Sequence, residues 1–236
     1  MNLIFTCRDL GDCEGAEQLL NEAIRIEEGT GAPMARLGTL HLLLAMLKAE
    51  PEHPKADLDE AAGLARHWRR HLDDERREAA DALVIYCLAH TQKDREELTS
   101  RLLLFMTAPR KPKEPLEQAH RQWLEGVARR SLGFTAHSIQ LIGDARAAFF
   151  EIGLTREWAM ASLDLAVALV ASGEEAEASR IAGDLFRLYQ AVKKEELALS
   201  PLQLFTEACA SGSLDEGLIR EARRTLGLAL GRHLRD

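Results

Sequence analysis

The sequence has few aromatic residues, few cysteines and no long apolar run. Aromatic residues make up 5% of the chain, and its four cysteines show neither metal-ligand spacing nor a disulfide framework. The longest apolar stretch, 40–47, is interrupted by His41 and is far shorter than the roughly 20 residues that a membrane-spanning helix needs. The apolar start at 1–5 is too short for a signal peptide. We therefore expect a reduced, cytoplasmic protein that does not enter a membrane.

Motifs that carry chemistry are also missing. The segment 11–15 contains two glycines but lacks the lysine and hydroxyl residue of a phosphate-binding loop. His67 and His71 have the i, i+4 spacing of zinc ligands, but zinc needs at least one further ligand. Glu117 and His120 form half of a di-metal carboxylate motif whose second half is absent. The sequence therefore predicts no metal, no cofactor and no enzymatic activity.

The formal net charge of −8 disfavours a dedicated nucleic-acid-binding protein, which needs a basic footprint. Basic clusters occur within 66–77, 110–113 and 129–130. Our interpretation is that they form solvated helix surface, because acidic residues are interleaved with them. The alternative, a phosphate-binding stripe, requires that these arginines have no carboxylate partners.

What the chain does contain is apolar residues at helical spacing between glycine and proline breaks. An all-α fold is predicted, with Asp73, Thr135 and Thr155 as helix N-caps and Gly133, Gly153 and Gly173 among the breaks. We predict twelve helices and no strands, at 2–10, 13–28, 32–49, 56–72, 74–90, 94–107, 115–132, 135–151, 156–171, 174–190, 195–210 and 214–233.

An internal repeat organises these helices. The segment 162–170 has nearly the same pattern of small, apolar and polar positions as 39–47, at an offset of 123 residues, or about three units of 41. The short loops imply antiparallel helix hairpins. We predict a single domain over 1–236, with a soft joint at the proline-rich segment 108–115 between an N-terminal half (1–107) and a more regular C-terminal half (116–236).

The chain resembles the tetratricopeptide-repeat family. Ala166 and Ala178 stand twelve positions apart, as do the small residues through which the two helices of a unit pack in that family, and Trp123 stands where the family prefers tryptophan. Ala145-x-x-x-Phe149 and Ala182-x-x-x-Phe186 look like its Ala-x-x-x-Phe element. The units here are 39 to 44 residues long, whereas the family's usual unit is about 34. The resemblance implies a right-handed superhelical array of about six antiparallel helix hairpins, a TPR-like α-solenoid.

A row of polar residues recurs at about the unit length within otherwise apolar stretches. With steps of 40, 44, 39 and 39 residues, its members are His41, Asp81, Glu125, Asp164 and Gln203. If first helices stack in register, these side chains line a wet groove, and together with Trp123 they are the predicted partner-binding residues. Three carboxylates favour a basic partner segment. The alternative is that any amphipathic helix carries such polar positions. The last helix is predicted to have a polar outer face, as a capping element needs, formed by Arg220, Arg223, Arg224, Arg232, Arg235 and Asp236.

Two functions remain open from the sequence. The first is a non-catalytic protein–protein interaction module, a scaffold or adaptor that binds a peptide or helical segment of another protein in its concave groove. The second is the sensor or regulatory arm of a larger bacterial-type transcriptional or signalling regulator, suggested by the short first element. The sequence leaves the partner's identity and the oligomeric state open.

Overall fold

The structure, a computed structural model, describes residues 12–51, 53, 56–108, 114–192 and 201–232. These residues form α-helices with one 3₁₀ turn at Arg69–His71, and they contain no strand, as predicted. The predicted helix at 2–10 lies outside the described residues. In the described part of the chain the helices are α1 (Cys13–Gly29), α2 (Met34–Ala49), α3 (Leu58–Trp68), α4 (Asp74–Thr91), α5 (Arg95–Thr107), α6 (Pro115–Ser131), α7 (Thr135–Ile152), α8 (Thr155–Ser172), α9 (Glu175–Val192), α10 (Pro201–Ser211) and α11 (Glu216–Arg232).

The chain divides into two compact units, Met1–Pro109 and Arg110–Asp236. In the first unit, each helix from α1 to α5 packs against the next one along the chain. The second unit continues this pattern from α6 to α11 and adds contacts between non-neighbouring helices, the most extensive of which is between α11 and α8. This additional contact places a charged side chain of α11 inside the second unit.

Several helix boundaries follow directly from the local sequence. The carboxylate of Asp73 accepts a hydrogen bond from the backbone N–H of Arg76, so this predicted N-cap is confirmed. Gly153 and Gly173 end α7 and α8 with φ angles of 82° and 80°. Glycine adopts this left-handed conformation without the steric cost that a Cβ would add.

The predicted N-caps Thr135 and Thr155 are wrong by one position. Both threonines are the first residue of their helix, and Phe134 and Leu154 occupy the cap positions without a side-chain cap bond. The reason is the shortness of the connections. Only residues 132–134 join α6 to α7, and only residues 153–154 join α7 to α8, so the residue that follows the glycine in each turn is the cap.

Small residues set the closest helix approach in the second unit. At Gly126 of α6, an added Cβ would lie 2.6 Å from Cγ1 of Ile142 and 3.2 Å from its backbone nitrogen on α7. The fully buried side chains of the second unit include Phe149, Leu163 and Phe205. In the residues that the structure describes, none of the helices has the length and apolar character required to cross a bilayer.

Candidate functional site

A buried carboxylate joins three helices of the second unit. Asp164 of α8 is fully buried, and its Oδ1 accepts a hydrogen bond from Nη2 of Arg223 on α11 at 2.5 Å. Its Oδ2 accepts a second bond from Nε1 of Trp123 on α6 at 3.0 Å. The Arg223 side chain is 8% exposed, so water screens this ion pair very little.

The local sequence of α11 explains why Arg223 lies next to Asp164. Ala222, Leu226 and Ala229 form an apolar stripe at helical spacing, and all three are buried. Arg223 lies directly beside Ala222, on the flank of the stripe that packs against the unit. The prediction that Arg223 belongs to a polar outer face is therefore wrong, and its position within the apolar spacing was the signal that could have revealed this.

The expected solvent exposure of the polar row is also wrong for two of its members. Asp164 is fully buried, and Glu125 is 6% exposed. Glu125 accepts a hydrogen bond from Nε of Arg129, one turn later on α6, at 2.6 Å. Both carboxylates face cations of their own chain, because a buried charge is tolerated only when it is paired. Gln203 is half-buried on α10, and its side chain lies 3.3 Å from Oε1 of Glu207. That the predicted residues bind a partner stays a prediction.

The two remaining members of the row lie in the first unit. The ring of His41 on α2 stacks on Trp68 of α3, with the ring centroids 4.4 Å apart and the planes 8° from parallel. Both ring nitrogens of His41 are buried and have no hydrogen-bond partner among the described residues. Burial lowers the pKa of His41. The charge of Glu28 opposes this shift, and the charge of His67 adds to it.

Asp81 belongs to a network of alternating charges across α3, α4 and α5. It accepts two bonds from Arg69, at 2.6 and 2.8 Å, and a third from Arg101 at 3.2 Å. Glu97 in turn accepts bonds from Arg66 and Arg101. Arg66 and Arg69 therefore have carboxylate partners, which does not fit the unpaired arginines that a phosphate-binding stripe requires. The basic segment 110–113 lies outside the described residues.

Other candidates for chemistry are held in structural roles. His71 accepts a hydrogen bond from Nε of Arg70 at 3.0 Å. In the part of the chain that the structure describes, no group of three or more His, Cys, Asp or Glu side chains is placed to hold a metal ion. Burial raises the pKa of both Cys87 and Cys209 to about 12, so these thiols are poor nucleophiles at neutral pH.

No protein-family model matches the sequence, and a search of curated proteins also finds no match. The most specific arrangement is the face of α8 that carries Asp164, which holds the amphipathic helix α11 through apolar packing and one arginine.

Proposed function

We propose that this chain is a non-catalytic, TPR-like protein–protein interaction module whose α8 face binds an arginine-bearing amphipathic helix of a partner protein. The observation that supports the proposal is the seating of α11 on that face, with Arg223 paired to Asp164. The face accepts a helix of this kind from its own chain. A partner helix with the same pattern would find the same complementary surface.

The chemistry of Asp164 provides selectivity. A helix that covers this carboxylate without donating to it would remove the arginine from a buried ion pair, which costs several kcal/mol, roughly 3–5 when one member of a buried pair is lost. A helix with arginine at the matching position avoids this cost. The apolar stripe beside the arginine contributes most of the buried area, as Ala222 and Leu226 do in α11.

In this proposal a partner helix exchanges with α11. The bound state of α11 is intramolecular, so it competes at a high effective concentration, about millimolar for flexibly tethered segments. A partner must therefore match the pattern of α11 closely or reach the protein when α11 is displaced. This requirement limits binding to helices that carry both the arginine and the apolar stripe.

A peptide experiment tests the proposal. A fluorescein-labelled peptide of residues 214–231 is titrated into the full chain carrying Arg223→Ala, and binding is followed by fluorescence anisotropy. The variant's own α11 no longer supplies the arginine, so the peptide is expected to bind it at least about ten-fold more tightly than it binds the wild-type protein, where α11 competes. The matched control peptide carries glutamine at position 223 and is expected to lose this advantage.

Two further variants make the result decisive. Leu226→Ala loosens α11 but keeps Arg223, so it should also admit the wild-type peptide if the face accepts a helix in trans. Asp164→Asn should bind both peptides equally, because the carboxylate that distinguishes them is gone. Far-ultraviolet circular dichroism checks that each variant remains helical. If neither Arg223→Ala nor Leu226→Ala binds the wild-type peptide, α11 is a fixed part of the fold and the proposed function is wrong.

A further inference from the structure

A second surface of the same unit brings aromatic rings and a guanidinium together. Arg146 and Phe150 are one turn apart on α7, and Trp158 and Ser162 are one turn apart on α8. The two pairs face each other. The guanidinium carbon of Arg146 lies 5.2 Å from the centroid of the Trp158 ring, and the rings of Phe150 and Trp158 are 6.4 Å apart. Phe150 is 72% exposed, an unusual state for a large aromatic side chain.

Arg146 is held rigidly but is not neutralised. Its Nε donates to Oγ of Ser162 at 2.7 Å, and this fully buried serine is fixed by its own bond to the backbone oxygen of Trp158 at 2.7 Å. A guanidinium has five N–H donors, of which this bond uses one. Among the residues that the structure describes, no carboxylate forms an ion pair with Arg146. The remaining N–H groups of this half-buried guanidinium are therefore able to donate to a bound ligand.

The charged groups that face Arg146 come from α9, and they are already engaged. Arg180 donates hydrogen bonds to both carboxylate oxygens of Glu177, at 2.8 and 2.5 Å, and a longer one to Asp184 at 3.5 Å. Arg187 also donates to Asp184. Burial lowers the pKa of Arg146, and the charge of Arg180 lowers it further, while Asp184 and Glu177 act in the opposite direction. Glu177 and Asp184 are thus bound by Arg180 and Arg187, and neither carboxylate forms an ion pair with Arg146.

We propose that the surface formed by Arg146, Phe150 and Trp158 is a docking site for a protein segment that carries a carboxylate side chain next to a large apolar side chain. The carboxylate would accept a bidentate bond from the outer N–H groups of Arg146, a strong and directional interaction for a guanidinium already oriented by Ser162 and Trp158. The apolar side chain would cover the exposed ring of Phe150.

The spacing on α7 defines the segment. Four residues of α-helix rise about 6 Å, so the ligand's acidic and apolar groups must be about that far apart. Glu or Asp at position i and Phe, Leu or Trp at i+4 of a helix meet this requirement. The surface lies on α7 and α8 and does not use Asp164 or Arg223. It is therefore a site of a different charge preference from the one in the proposed function, and each can fail without the other.

Nuclear magnetic resonance with a defined peptide tests this inference. The probe is a capped alanine-based helical peptide that carries one glutamate and one phenylalanine at i and i+4, titrated into the ¹⁵N-labelled full chain up to several millimolar. We expect shifts of the indole N–H of Trp158 and the Nε–H of Arg146. A peptide with glutamine in place of glutamate should bind about five-fold more weakly, the effect of one partly shielded ion pair.

Matched variants distinguish binding at this surface from nonspecific binding of the peptide. Arg146→Gln should abolish the difference between the glutamate and glutamine peptides, and Phe150→Ala should weaken both. The controls are Phe134→Ala, which removes another exposed phenylalanine at the opposite end of α7, and Arg224→Gln, which removes an exposed arginine on α11. Neither should change peptide binding. Equal binding of the two peptides to the wild-type protein, or shifts that survive Arg146→Gln, would overturn the inference.

Discussion

The buried pair of Asp164 and Arg223 makes the strongest quantitative prediction of this structure. The side chains are 0% and 8% exposed and the ion pair is 2.5 Å long, so neither charge has water to replace a lost partner. Asp164→Asn preserves the shape and the bond from Trp123 but removes the charge that Asp164 places against the buried guanidinium. Arg223→Met preserves the aliphatic stem but removes the cation that pairs with the buried carboxylate. Each single change is expected to cost about 3–5 kcal/mol.

The double variant Asp164→Asn/Arg223→Met is expected to cost only about 1–2 kcal/mol, less than either single variant. It removes both charges together, and a buried pair replaced by neutral groups of similar volume recovers the desolvation energy that the charges had cost. The single variants should therefore be strongly non-additive in a double-mutant cycle. Because small domains are stable by only about 5–15 kcal/mol, either single change removes a large part of the stability of the second unit.

Urea denaturation measures these values. Tryptophan fluorescence is a suitable probe, because Trp123 and Trp158 both lie in the second unit. The matched control is the pair of exposed Arg187 and half-buried Asp184, where the same substitutions, Asp184→Asn and Arg187→Met, should cost under about 1 kcal/mol each. Additive effects in the buried pair, or a cost for Asp164→Asn as small as that of the control, would refute the reasoning.

Three further predictions concern packing and protonation. Gly126→Ala should destabilise the second unit by about 1–3 kcal/mol through overpacking, whereas Gly143→Ala, with open space around the new methyl group, should stabilise it by about 0.5–1 kcal/mol through helix propensity. Ala166→Leu, at a fully buried position of α8, should cost about 1–3 kcal/mol. His41→Phe should preserve the stacking on Trp68 and stabilise the first unit by about 1 kcal/mol, because it removes two buried nitrogens that have no partner.

The His41 prediction also has a pH dependence with a definite sign. Burial lowers the pKa of His41 in the folded chain, so the unfolded chain binds this proton more tightly. The free energy of unfolding should therefore fall as the pH decreases through the ordinary value of 6.5, and this part of the pH dependence should disappear in His41→Phe. Thermal melts of both proteins between pH 8 and pH 5 measure the difference. Parallel curves would show that His41 is not buried as described, and unchanged melting of Gly126→Ala or Ala166→Leu would show that those helices do not meet closely there.

The helices could be predicted from the sequence because their signals are local. Glycine and proline breaks, together with apolar spacing, predicted the bounds of α1 to α9 and α11 to within about four residues. The predicted start of α10 at residue 195 lies outside the described residues, which resume at Pro201. Asp73 was recognisable as a cap because its carboxylate acts on a backbone N–H three residues away. The errors at Thr135 and Thr155 arose where the turn was too short for the threonine to be the cap.

The candidate site could not be predicted because its contacts are distant in the sequence. Arg223 lies 59 residues from Asp164, and Trp123 lies 41 residues away on the other side. A polar residue within an apolar helix either lines a wet face or pairs inside the protein, and spacing alone does not separate these two states. For Asp164 and Glu125 the second state applies, because a cation of the same chain reaches each carboxylate.

The stability of α11 and the proposed binding of a partner helix are linked by one equilibrium. If α11 must leave α8 before a partner helix binds, the apparent dissociation constant is raised by the factor that favours the closed state. A change that weakens α11 alone by about 1.4 kcal/mol should then strengthen partner binding about ten-fold. Leu226→Ala weakens α11 without altering Asp164, so its effects on unfolding and on peptide binding should correspond. Asp164→Asn weakens the packing of α11 on α8 but also removes the selectivity for arginine. It should therefore make the α8 face accessible without a preference for the arginine peptide over the glutamine peptide. The two variants therefore separate a helix that is exchangeable from one that is only part of the core.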